Sequence, residues 1–124
     1  MGGRLVALQG AHRGLIDVHE PLHRQWGLRA SLPGSRISGH ANPQAAAAAD
    51  LVVLAVPFAH QRPILEEMRP ALRGKILVDA TVPLVPPKVM RVQLPKEGCA
   101  ALITQGIVGA DTTVVSAFQN VAAD

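Results

Sequence analysis

The chain has 124 residues, enough for one core and too short for two comfortable domains. Its 48% hydrophobic content excludes a disordered chain, and its 2% aromatics (Trp26, Phe58 and Phe118, with no tyrosine) argue against a binder that stacks nucleic-acid bases. The net charge of +3 is spread without a cationic block, which predicts a solvated basic surface rather than a nucleic-acid patch.

The first candidate element is a strand at Leu5 to Leu8, inside "VALQGAHRG". Gly10 and Gly14 follow it, but the three-glycine spacing that lets a backbone wrap a pyrophosphate is missing. His12, His19, His23 and Trp26 come next, with little clean periodicity. Residues 1–31 therefore read as an atypical N-terminal segment, disordered or foreign to the fold, and residues 32–124 as the ordered unit. In "PGSRISG", Ser35 and Arg36 could hold a ribose phosphate, since arginine forks onto phosphate oxygens. No clear strand precedes them, so an ordinary turn is the rival reading.

Asn42-Pro43 predicts a helix start, with asparagine as cap and proline in the first turn, and Ala45 to Ala49 continue a short helix. Leu51 to Val56 is a continuous apolar run, the pattern of a parallel strand buried on both faces, and Pro57 ends it. The whole apolar stretch from Ala45 to Phe58 is broken by Asp50 and is too short to span a bilayer. With no signal-peptide pattern at the N-terminus, a cytoplasmic protein without a membrane partner is expected.

A helix is predicted over Gln61 to Leu72, with Pro63 in its first turn and Ile64, Leu65, Met68 and Leu72 on one face. Glu66 and Glu67 should face water, Pro70 should shorten or kink the helix, and Gly74 should end it. Lys75 to Val78 predicts a second buried strand, leaving through Asp79. Thr81 to Gly98 holds four prolines and reads as a long loop or irregular lid. Its Pro83-x-x-Pro86 spacing is better explained by loop stiffening than by polyproline recognition. Cys99 is the only cysteine, which fits a reducing compartment and a buried or half-buried thiol. A short helix at Ala100 to Gln105 and a strand at Thr113 to Phe118 complete the series. Strands alternating with crossovers predict an α/β fold with a parallel sheet.

In such sheets ligands bind outside the carboxyl ends of the strands. Three ends are readable: Val56-Pro57-Phe58, Thr81-Val82-Pro83 and Gln119-Asn120. No nucleophile elbow, zinc-protease motif, cysteine pair or P-loop is present. His19 and His23, four apart, lack a third metal ligand at a plausible spacing, so no metal site is assigned.

"ADLVVLAVPFAHQRPILEEMRPALRGKILVDATVPL", "PPKVMRVQLP" and "VVSAFQNVAA" resemble the NADPH-dependent coenzyme F420 reductases. The resemblance covers about Leu32 to Asp124, and "GKILVDATVPL" and "AFQNVAA" are its most specific parts. It implies a partial Rossmann-type, NADP-binding domain over 32–124, which passes hydride between NADP(H) and an 8-hydroxy-5-deazaflavin, coenzyme F420. By the same resemblance Val56, Pro57 and Phe58 face NADP, Val82 and Pro83 lie near the nicotinamide, and Gln119 and Asn120 lie where the deazaflavin approaches. No catalytic side chain is implied, because donor and acceptor are both cofactors that the protein need only hold face to face. Residues 1–31 depart from the family pattern, and members of the family continue past the end of this sequence. A truncated member with impaired activity is therefore expected. A rival reading is a non-catalytic interaction or dimerisation domain, since a sheet lacking its first strands leaves an edge that a second copy can pair with. A reductase acting on an imine or a hydroxy acid is less favoured: no Lys, His or Tyr stands out at the strand ends, although His60 lies near one of them.

Overall fold

A computed structural model describes residues 5–8, 41–84 and 94–120, with the backbone alone at 5–8. The elements run β1 (Leu5–Leu8), α1 (Asn42–Ala47), β2 (Leu51–Leu54), α2 (Phe58–Leu72), β3 (Ile76–Asp79), α3 (Ala100–Val108) and β4 (Thr113–Ser116). The strands form one sheet in the order β1-β2-β3-β4, and every neighbouring pair is parallel. The expected α/β parallel architecture is thus present. Leu5–Leu8, within the segment set apart as atypical, supplies a strand of the sheet.

Burial alternates along β2 instead of being complete on both faces, whereas in β3 Leu77, Val78 and Asp79 are all buried. Val52, Leu54 and Leu77 are fully buried, while Leu51 and Val53 are half-buried and Ile76 is exposed. A period of two means that one face carries the helices. The core confirms it: Val52, Leu54 and Leu77 pack with Ala46 and Ala49 beside α1, with Leu65, Met68 and Leu72 of α2, and with Ile107 and Val108 of α3. Each fully buried Leu or Met contributes on the order of 2 kcal/mol by leaving water.

Several boundaries differ from expectation. The α2 helix begins at Phe58 rather than Gln61, with the extended Pro57 as its N-cap, so Phe58 opens a helix instead of closing a strand. Pro63 consequently falls in the second turn. The helix also runs through Pro70 to Leu72. Each proline removes one N–H donor, but Leu65, Met68 and Leu72 anchor the helix on the core, and packing outweighs a lost bond two residues from its end. The predicted cap at Asn42 is not formed. Ala41 holds the N-cap position without a side-chain bond, and Asn42, already helical, is buried with its Oδ1 unpartnered. The α3 helix extends three residues beyond Gln105, to Val108. Cys99 is exposed, not buried, as the N-cap residue of α3.

The amino edge of the sheet is tied by two turns. The Gly74 amide donates to the Asp111 carbonyl at 2.7 Å, and the Thr113 amide to the Lys75 carbonyl at 3.0 Å. The buried Thr112 hydroxyl donates to the Leu72 carbonyl at 3.0 Å. These bonds fix where β3 and β4 start, and so where they finish.

Candidate functional site

Register decides which residues meet at the carboxyl edge. Leu54, Asp79 and Ser116 are aligned across β2, β3 and β4, with Leu8 of β1 beside Leu54. The pairing continues one step past the strands: the Ala80 amide donates to the Leu54 carbonyl at 3.0 Å, and the Ala117 amide to the Asp79 carbonyl at 3.2 Å. The segments that follow, Val56–Phe58, Thr81–Pro83 and Phe118–Asn120, therefore leave the same edge in a row. That is the juxtaposition expected from the sequence, and parallel strands in register make it unavoidable.

The residues there differ in what they can offer. Val56 is 6% exposed and belongs to the core, so only its backbone can meet a ligand. Pro57 is exposed and Phe58 half-buried; Val82 is half-buried and Pro83 buried. Gln119 and Asn120 are exposed. The first turn of α2 has no side-chain cap, and its His60 amide donates to the Pro57 carbonyl at 2.8 Å. Phe118, 59% exposed, has a φ of 71°, a left-handed conformation that a bulky residue rarely adopts.

Beneath the edge lies a buried polar cluster that reading the sequence missed. Asp79, fully buried, accepts four bonds from neutral donors. Its Oδ1 takes the Thr81 amide at 2.8 Å and the Thr81 hydroxyl at 2.7 Å. Its Oδ2 takes the Thr104 hydroxyl at 2.6 Å and Gln61 Nε2 at 3.2 Å. Gln61 Nε2 also lies 3.0 Å from Thr81 Oγ1 and 2.9 Å from Thr104 Oγ1. Gln61 Nε2 has two hydrogens to share among four acceptors in reach, Asp79 Oδ2, both hydroxyls and the Ala100 carbonyl at 3.3 Å, while both hydroxyls donate to the carboxylate. A buried carboxylate is tolerated only where donors surround it in this way. One sequence signal was available: an Asp ending an apolar strand with Thr two residues on is a pattern for a side chain bonding its own following backbone. Gln61 and Thr104, on two helices, gave no signal.

The Asp79 carbonyl receives, besides Ala117, Gln119 Nε2 at 2.8 Å, and the same nitrogen lies 2.8 Å from Ser116 Oγ. A carbonyl oxygen only accepts, so the Gln119 nitrogen must face it and the amide oxygen Oε1 remains for other partners.

A separate open groove of about 410 Å³ lies between α2 and α3, lined by residues such as Arg62, Glu66, Arg69, Leu102 and Ile103. It shares no lining residue with the strand ends. Ser35, Arg36, Gly10, Gly14, Trp26, the three early histidines and Pro86 lie outside the described residues.

The sequence model of the family described as NADP oxidoreductase, coenzyme F420-dependent, matches residues 16–83, which include Val56 to Phe58, Val82 and Pro83. An F420-dependent NADP reductase of Methanocaldococcus jannaschii is 35% identical over 101 residues, 79% of this chain and 43% of that protein. One from Methanothermobacter thermautotrophicus is 36% identical over 91 residues, 70% of this chain and 39% of that protein. The chain thus spans less than half the length of these relatives. A solved structure of a candidate F420-dependent NADP-reductase from Arthrobacter sp. FB24 superposes with a TM-score of 0.66 at 23% identity, covering 93% of this chain and 61% of that one, and shares its fold.

Proposed function

The chain belongs to the family of coenzyme F420-dependent NADP oxidoreductases, and from that premise we propose that it serves hydride transfer between NADP(H) and the 8-hydroxy-5-deazaflavin coenzyme F420. The observation that carries this reading is the row of three segments leaving one edge of a parallel sheet in register. Val56, Pro57 and Phe58 would face NADP, Val82 and Pro83 the nicotinamide, and Gln119 and Asn120 the deazaflavin.

The residues present fit such a ligand. The amino end of the 15-residue α2, which has no side-chain cap, suits an anionic group. The Gln119 oxygen suits an amide donor, and the flat sides of Pro57 and Phe58 suit a ring. The two bound cofactors supply the redox chemistry; the protein's part is to bind them, orient them and exclude water. The sequence has no G-x-G-x-x-G, so binding is expected to be weak and deazaflavin reduction by NADPH slow. The same reading puts the chain in the cytoplasm; among the described residues no helix is long and apolar enough to cross a membrane.

A ligand that binds only the folded form raises its stability, by about 2.7 kcal/mol at a hundredfold excess over Kd. The thermal midpoint is therefore expected to climb as NADPH is added. A midpoint that stays fixed up to saturating millimolar nucleotide would rule the assignment out. Turnover is followed as loss of deazaflavin absorbance.

One observation favours a second reading, a dimerising unit. Among the described residues β4 pairs on one side only, and Val115 and Phe118 beside that open edge are 42% and 59% exposed. Size-exclusion chromatography separates the two: a dimer supports the interaction unit, and a clean monomer removes it.

A further inference from the structure

Three strand ends must hold still relative to one another if a ring is to be placed between them, and two of the three converge on one residue. Asp79 binds Thr81 through its carboxylate, at both the backbone amide and the hydroxyl. It binds Ala117 and Gln119 through its carbonyl oxygen. The carboxylate is in turn held from the side by Gln61 of α2 and Thr104 of α3. We propose that Asp79 is a positioning residue that sets Thr81–Pro83 and Gln119 as one unit, with Gln61 and Thr104 as its buttress, and so fixes the nicotinamide end of the site.

The geometry separates this role from general support of the fold. Core packing runs through Leu54, Leu65, Met68, Leu72 and Leu77, none of which bonds a strand end through its side chain. Asp79 instead spends all its acceptors on residues at or beside the carboxyl edge. Loss of a donor at Oδ2 leaves the core in place and lets the carboxylate turn, carrying with it Thr81, which is bonded to Oδ1. Because Gln119 Nε2 is held at the Asp79 carbonyl, movement there also turns the Gln119 oxygen away from the edge. The inference rests on the nucleotide reading above for what the unit is positioned against, but not for the unit itself.

The test uses Asp79→Asn and Thr104→Val, with Thr104→Ser as the conservative variant that keeps the hydroxyl. The first measurement needs no ligand: amide hydrogen exchange at Thr81 and Ala117. Both amides are hydrogen-bonded in the unmodified chain and should be protected there. Exchange at Thr81 should speed about tenfold or more in Asp79→Asn and Thr104→Val, while amides of α2 near Met68 keep their rates, and Thr104→Ser should restore protection. The second compares the Kd for NADPH with that for its adenosine bisphosphate half, which lacks the nicotinamide. NADPH should weaken about tenfold and the half-ligand little. Unchanged exchange at Thr81 in either folded variant overturns the proposal. So does a uniform loss of protection across α2 and the strands, or equal weakening of both ligands, since each marks a merely structural role. If the unmodified chain binds neither ligand, the nucleotide assignment fails while the exchange result still decides whether Asp79 sets the strand ends. Should Asp79→Asn fail to fold, Thr104→Val and Thr104→Ser carry the same comparison.

Discussion

Two residues sit in the left-handed backbone region for opposite reasons, and they make a matched pair of predictions. Gly74, with φ of 72°, turns the chain from α2 into β3 and places its amide on Asp111. A Cβ there would meet nothing within 4 Å, so the cost of Gly74→Ala is purely conformational. A loss of about 1 kcal/mol is expected in urea unfolding. Phe118 adopts nearly the same φ, 71°, with a side chain that dislikes it. Phe118→Gly should recover about 1 kcal/mol of strain. If this edge meets the nucleotide as proposed and the ring takes part, the stabilised variant should bind nucleotide more weakly. No change in unfolding midpoint for Phe118→Gly would mean that the conformation carries no strain. The Asp79 cluster belongs to this scale as well. Its Asp79 and Thr81 are two apart in sequence and were readable as a local pattern, whereas Gln61 and Thr104 reach it only through packing.

At the scale of elements, α1 is the least self-sufficient. Six residues are too few to be stable as an isolated helix. It has neither a side-chain N-cap nor a basic residue in its last turn. Its carbonyls are satisfied instead by Lys75, the residue before β3, whose Nζ donates to Ala47 at 2.9 Å and to Ala46, and also to the Ala49 carbonyl just past the helix at 2.7 Å. A cation at a helix carboxyl end bonds orphan carbonyls and complements the dipole. Lys75→Met keeps the stem and removes the donor; it should cost about 1 kcal/mol and raise exchange in residues 45–49 before the rest of the sheet. Equal exchange in both proteins would refute it. The α2 helix shows the reverse case. It contains two prolines and starts from an uncapped Pro57, yet is the longest element described. Its Leu65, Met68 and Leu72 stripe was plain in the sequence, and burial of that stripe holds it. Met68→Ala should therefore cost about 2–5 kcal/mol, far more than Pro70→Ala changes in either direction, as read from denaturant midpoints.

For the whole molecule the question is what the sheet's open boundaries do. Among the described residues the helices cover the face of Val52, Leu54 and Leu77, and β4 forms one boundary strand with a burial pattern that is mostly exposed. Natural edges are protected by charge or proline, and Thr113–Ser116 has neither. If the chain dimerises through this edge, Val115→Lys should shift its elution to the monomer position with the nucleotide-dependent rise in midpoint unchanged. A dimer that survives the lysine would place its interface elsewhere.

Apolar runs, Pro and Gly punctuation and the helical stripe of α2 were enough to establish an α/β chain with parallel strands whose ends leave one edge of the sheet, because these are local patterns set by backbone sterics and by the period of burial. The family too was legible in the strand-end words. Only the folded chain decided the rest. Leu51 and Val53 proved half-covered, Ala41 and not Asn42 took the cap position, Phe58 joined a helix, and Asp79 gathered Gln61, Thr81 and Thr104 around itself. Those outcomes depend on which residues far apart in sequence are pressed together once water is excluded, and hydrogen bonds between distant side chains have no period that a linear sequence can display.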